Sequence, residues 1–259
     1  MRASLTILSC SLVAITAIPG YAQNAQSVRL GDAALTYAAG SIRQDMPIDG
    51  VINVITGDNQ LSGNRMMLGW SGTDTLYLKL KNPGEAAIGD LYTVYRRSRK
   101  VFHPITKQYL GYVINRVGVV KVVQLDPVLV GVQVVRSYAP LSPGDPVMRF
   151  TPPPVEDISE PASVGPDVEG MIVELQADKH MSLVSQGNLV YLDKGQDDGL
   201  RSGDFMEVFR TGGGLPERKI GEVRVLATEP HTATAVVSKA SARALVGDRL
   251  RSKHGVPLD

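Results

Sequence analysis

The chain has 259 residues, with 27 Lys+Arg against 26 Asp+Glu, 26 glycines, 16 prolines and one cysteine. That cysteine, Cys10, lies in an apolar leader, so the mature chain can form no disulfide and offers no thiolate nucleophile or cysteine metal ligand. The net charge of +1 hides an uneven distribution: 14 bases against 9 acids from residue 27 to 150, 5 acids and no base from 151 to 169, then 12 of each.

Residues 1–22 read as a signal peptide. Arg2 precedes an apolar stretch from Leu5 to Ile18, and Gly20 and Ala22 suit the minus-three and minus-one sites of a signal peptidase, with cleavage before Gln23. The stretch is too short to span a bilayer, and no later segment is long and apolar enough to do so. Export to the periplasm without a transmembrane segment is therefore expected. Too few apolar residues precede Cys10 for the core of a lipoprotein signal, which argues against lipidation.

An N-terminal arm, residues 23–45, fits either a leading strand or a loose segment. A first β domain is predicted over residues 46–150 and a second over 169–252, with a tail at 253–259. Between the domains, "TPPPVEDISEPASVGPDV" (residues 151–168) favours extended, flexible chain and cannot build a core.

The two domains are copies of one unit. Tyr77–Arg96 lies on Tyr191–Arg210 at a constant offset of 114, with Tyr77/Tyr191, Leu78/Leu192, Gly89/Gly203, Asp90/Asp204, Val94/Val208 and Arg96/Arg210 identical. Val117–Gly144 lies on Ile220–Gly247 at an offset of 103, and "IDGVINVI" parallels "VEGMIVEL" ahead of the first block. Gly-Asp before an apolar strand is turn chemistry, since glycine takes positive φ and the carboxylate can bond N–H groups just ahead of it. Recurrence at strand entrances favours this role for Asp90, Asp145, Asp204 and Asp248 over service as catalytic acids. Pro127 and Pro230 sit where two valine-rich strands must reverse. With short strands, frequent turns and no long amphipathic helix, the expected fold is all-β: two tandem, duplicated, small barrel-like domains joined by the Pro-rich linker.

The copies differ in one place. Residues 97–116, "RSRKVFHPITKQYLGYVINR", replace the nine residues "TGGGLPERK" at 211–219, so the first copy must make a longer hairpin. From Leu91 to Leu125 there is no Asp or Glu. Arg96, Arg97, Arg99, Lys100, Lys107 and Arg116 are interleaved with Phe102, Tyr109 and Tyr112, and these nine are the candidate binding residues. A basic projection with aromatic rings attracts anionic polymers and stacks on rings. The plainer alternative is a solvated hairpin whose cations block edge pairing.

Catalysis is not expected. His103, His180, His231 and His254 are scattered singly, with no second ligand at metal spacing. No zincin pair, nucleophile elbow or phosphate-binding loop is present, and "TGGGLP" reads as a turn. Asp197-Asp198 sits in a loop, and a lone Trp70 in a β domain packs more often than it binds. No cofactor, metal or nucleic-acid partner is expected.

The second copy, through "GNLVYLDKGQDDGLRSGDFMEVFR", "KIGEVRVLATEP" and "ALVGDRL", resembles the C-terminal domain of flagellar assembly protein T. The first, through "TLYLKLKNPGEAAIGDLYTVYRRSRKVFHPITKQYLGY" and "SPGDPVMRF", resembles the segment that follows the LysM module in certain bacterial envelope proteins. Both resemblances imply an exported β-rich accessory protein without enzymatic residues. No LysM module lies in the residues before 46, so glycan affinity borrowed from it is not implied.

Together these readings lead to the expectation of a periplasmic, non-enzymatic envelope accessory protein. Its first domain would bind an anionic envelope polymer, such as cell-wall glycan, or an envelope protein. A structural subunit of a flagellar or secretion-type assembly, built by self-association, is the alternative, and an envelope hydrolase is the least supported.

Overall fold

The computed structural model describes residues 39–56, 75–152, 167–176, 186–212 and 214–253. The predicted signal peptide, most of the N-terminal arm and linker, and Trp70, His180 and His254 lie outside them. Among the described residues no helix is long and apolar enough to cross a membrane.

The fold is all-β. The first unit contains β1 (Ser41–Arg43), β2 (Gly50–Thr56), β3 (Thr75–Leu80), β4 (Leu91–Phe102), β5 (Tyr109–Gln124), β6 (Val130–Ser137) and β7 (Pro146–Arg149). Strands β4-β5-β6-β3-β2-β7 pair antiparallel in that order, β7 returns to β4, and β1 is added on β5. The second unit contains β8 (Glu169–Leu175), β9 (Leu189–Leu192), β10 (Phe205–Gly212), β11 (Leu215–Thr228), β12 (Ala233–Ala240) and β13 (Arg249–Ser252). Its closed barrel runs β10-β11-β12-β9-β8-β13, the same order strand for strand. The duplication read in the residues is thus a duplication of topology.

Alternation along each strand fills the two rings. In β3, Leu76, Leu78 and Leu80 point inward and are buried, whereas Tyr77 and Lys79 are not. Interior positions match between copies: Ile52/Ile172, Leu78/Leu192, Val94/Val208, Val120/Val223, Val122/Val225 and Val147/Leu250. Each such side chain contributes about 1.5–3 kcal/mol when fully buried, so the two cores carry the fold without covalent help.

The four Gly-Asp turns obey one design. Gly89, Gly144, Gly203 and Gly247 have φ of 97°, 89°, 94° and 97°. Nothing lies within 4 Å of where a Cβ would sit, so the requirement is conformational, not spatial. Each following carboxylate accepts the N–H three residues earlier: Asp90 from Ala87, Asp145 from Ser142, Asp204 from Arg201 and Asp248 from Leu245, at 2.7–3.0 Å.

Two of these carboxylates also anchor a strand. Asp145 receives Arg96 Nε at 2.9 Å and Nη2 at 2.5 Å, and Asp248 receives Arg210 Nε and Nη2 at 2.7 Å each. The spare donation of each guanidinium goes to a carbonyl, Pro140 or Arg243. The paired arginines at the end of the repeated motif therefore tie the third strand of each ring to the turn ahead of the last.

The barrels touch. Ala39 packs on Leu189, Leu226 and Val236 of the second unit. Tyr191 Oη donates to the Ala39 carbonyl (2.9 Å), Thr234 Oγ1 to Gly40 (3.0 Å) and Thr232 Oγ1 to Ile42 (3.2 Å). Arg43 pairs with Glu229 at 2.7 Å. The segment around β1 is thus a strand of the first unit on one edge and a buried ligand of the second on the other.

Candidate binding face

The eleven extra residues of the first copy lengthen β4 and β5 into a hairpin that runs past its own ring. Two bulges shape it. Arg97 faces Ile114 and Lys100 faces Tyr112, so β4 carries one extra residue between those rungs. Val101 faces Gly111 and Phe102 faces Tyr109, so the next extra residue is on β5. At Gly111 (φ 139°) a Cβ would meet the backbone of Arg43 and Gln44, so only glycine lets β1 pass there.

The inner face of the hairpin docks on the second barrel. Val101 and Val113 are buried with Ile42, Val173 and Tyr191, and Leu110 packs against them. Burial of the Tyr191 phenol, the largest effect, pushes its pKa far above the ordinary value. Arg99 pairs with Glu174 (2.9 Å) and donates to the Leu175 carbonyl. His103 Nδ1 accepts the Ile105 and Thr106 N–H groups (3.2 and 3.1 Å). The ring proton is therefore assigned to Nε2, which donates to Asp193 at 3.1 Å.

The outer face gathers most of the predicted site. The Arg97 guanidinium lies 4.8 Å from the centre of the Tyr112 ring, and Lys100 Nζ lies 5.9 Å from it. Tyr109 meets Tyr112 edge to face (6.0 Å, 84°) and meets Phe102 tilted (5.5 Å, 55°). Arg97, Lys100 and Phe102 are exposed, Tyr109 and Tyr112 half-buried. Partial desolvation, then the Tyr112 hydroxyl, hold the Tyr109 phenol above its usual pKa.

Of the nine predicted residues, five thus share this face: Arg97, Lys100, Phe102, Tyr109 and Tyr112. Lys107 sits in the tip turn in a left-handed conformation (φ 61°), its Nζ on the Pro104 carbonyl. Arg116 lies half-buried at the base, opposite Tyr95, with contacts of its own. Arg96 and Arg99 are elsewhere: the first is clamped on Asp145, the second on the other barrel. Sequence reasoning missed Ile105, which stands exposed in the tip turn, and missed the hairpin's inner surface altogether.

Compared with protein-family models and with curated proteins, the chain matches none. Among the described residues, no three His, Cys, Asp or Glu side chains gather as a metal site.

Proposed function

We propose that the chain is a non-enzymatic accessory protein of the bacterial cell envelope. It is exported to the periplasm and grips an anionic envelope component through the outer face of its first-domain hairpin. The observation that carries this reading is the convergence of Arg97, Lys100, Phe102, Tyr109 and Tyr112 on one accessible surface. That surface belongs to a stretch without a single acid from Leu91 to Leu125.

The disposition of the polar groups supports binding over catalysis. Each of the four turn aspartates accepts a backbone N–H, Asp145 and Asp248 are also clamped by arginines, and His103 is engaged by the tip turn and Asp193. His231 pairs with Asp197 on the open surface, with side chains 80% and 60% exposed. The second barrel acts as a platform, holding the hairpin from behind. For the alternative, a self-assembling envelope subunit, both rings are already closed, which leaves few strand edges for pairing.

The test is co-sedimentation of the chain from Gln23 onward with isolated cell envelopes across a salt series. Binding should weaken as salt rises, and Arg97→Glu with Lys100→Glu should abolish it while the melting temperature stays within a few degrees. Binding that ignores both salt and the double reversal would mean that the hairpin is not the binding surface.

A further inference from the structure

We infer that the envelope component met by this face is an anionic phospholipid surface, with the hairpin tip entering the headgroup region. This rests on the reading above and narrows it.

The tip exposes two large apolar side chains, Phe102 (49% exposed), which meets the ring of Tyr109, and Ile105 (65%) in the turn. Behind them stand Lys100, Arg97 and, in the turn itself, Lys107. An apolar point with an aromatic ring and a collar of cations is the composition that lipid interfaces select. The apolar groups leave water, the tyrosine lies at headgroup depth, and the long cations reach the phosphates. The attraction is to negative lipid, since the hairpin carries cations and no acid of its own. Of the carboxylates it touches, Glu174 is paired with Arg99, while Asp193 lies on the inner side, held by His103 and the Met171 N–H.

A glycan ligand fits less well. The three rings lie at 55° and 84° to their neighbours, so no two form a common plane on which successive sugars could stack. The hairpin itself has no carboxylate to accept from sugar hydroxyls, and Ile105 offers such a ligand nothing. The tip is also presented stiffly. Val101 and Val113 are buried on the second barrel and His103 is hydrogen-bonded to it, so insertion orders little that is not already ordered.

The experiment uses vesicles of phosphatidylcholine alone, vesicles of phosphatidylcholine with phosphatidylglycerol, and purified peptidoglycan, side by side. The protein should sediment with the phosphatidylglycerol vesicles and not with the neutral ones. Phe102→Ser with Ile105→Ser, which leaves every charge in place, should weaken that binding at least about tenfold, the loss expected when two apolar side chains no longer leave water. The chain from Gln23 onward has no cysteine. Ile105→Cys therefore carries a single environment-sensitive fluorophore, whose emission should shift to the blue with anionic vesicles. Sedimentation with peptidoglycan but not with vesicles overturns the lipid inference and leaves the envelope reading standing. Vesicle binding unchanged by the double serine variant, or a label that stays in water, also overturns it. Binding to neither probe, together with failure on whole envelopes, overturns both.

Discussion

Tyr77 and Tyr191 occupy the same place in the two barrels and live in opposite surroundings. Tyr191 is fully buried under β1 and the hairpin, its hydroxyl on the Ala39 carbonyl. Tyr77 is half-exposed. The ring of neighbours explains it. Val173, Leu189, Leu226 and Val236 frame the second face. The matching positions in the first barrel are Asn53, Thr75, Val123 and Gln133, three of them polar. Inside the rings the copies are alike; outside, one copy presents an apolar landing face and the other carries the hairpin that lands on it. Duplicated barrels have become a complementary pair.

That tyrosine is where the two barrels should differ most in stability. Tyr191→Ala should cost about 3–5 kcal/mol in urea unfolding, the range for removing a large buried aromatic side chain. Tyr77→Ala should cost about 1 kcal/mol, as for a partly exposed residue. Equal losses would mean that the landing face is not packed.

The matched arginines give the next largest contrast. Asp248 is 3% exposed and its partner Arg210 20%, against 9% and 39% for Asp145 and Arg96. Arg210→Ala strands a carboxylate in the more buried site and should cost about 3 kcal/mol, whereas Arg96→Ala should cost about 1–2 kcal/mol because water screens its partner. Thermal unfolding of the two variants checks the order. Arg96→Ala should also leave envelope binding intact, since its guanidinium faces Asp145 and not the outer face.

Much of this was legible in the residues, and the failures have a common cause. The Gly-Asp turns were readable because their chemistry is local: a positive φ and a carboxylate three residues from its donor. The longer hairpin followed from counting. Which side chains share its outer face did not, because simple alternation puts Arg97 with Arg99, and the bulge before Lys100 reverses that. Arg96 could have been set apart from the site, since its identity with Arg210 in a copy lacking the hairpin already pointed to a shared structural task. The docking of the barrels was out of reach. The contact between Tyr191 and Ala39 joins residues 152 apart, and no local period records it.

The smallest contrast is electrostatic and belongs to one barrel. Glu222, buried on β11, accepts from Lys219 at 2.8 Å and Lys253 at 3.1 Å, with Lys239 at 3.6 Å. Those hydrogen bonds, Lys219 first and Lys253 next, pull its pKa down to about 2. A depressed carboxyl pKa means stability that is fully present above the unfolded value, near about 4.3, and that is lost as pH falls from there through about 2. The equivalent residue of the first barrel is Val119, which cannot titrate. Glu222→Gln should therefore melt earlier than the parent at neutral pH, and the gap should close as the pH approaches about 2. Melting curves that stay parallel across that window would mean that the three lysines do not hold Glu222 as a charged pair.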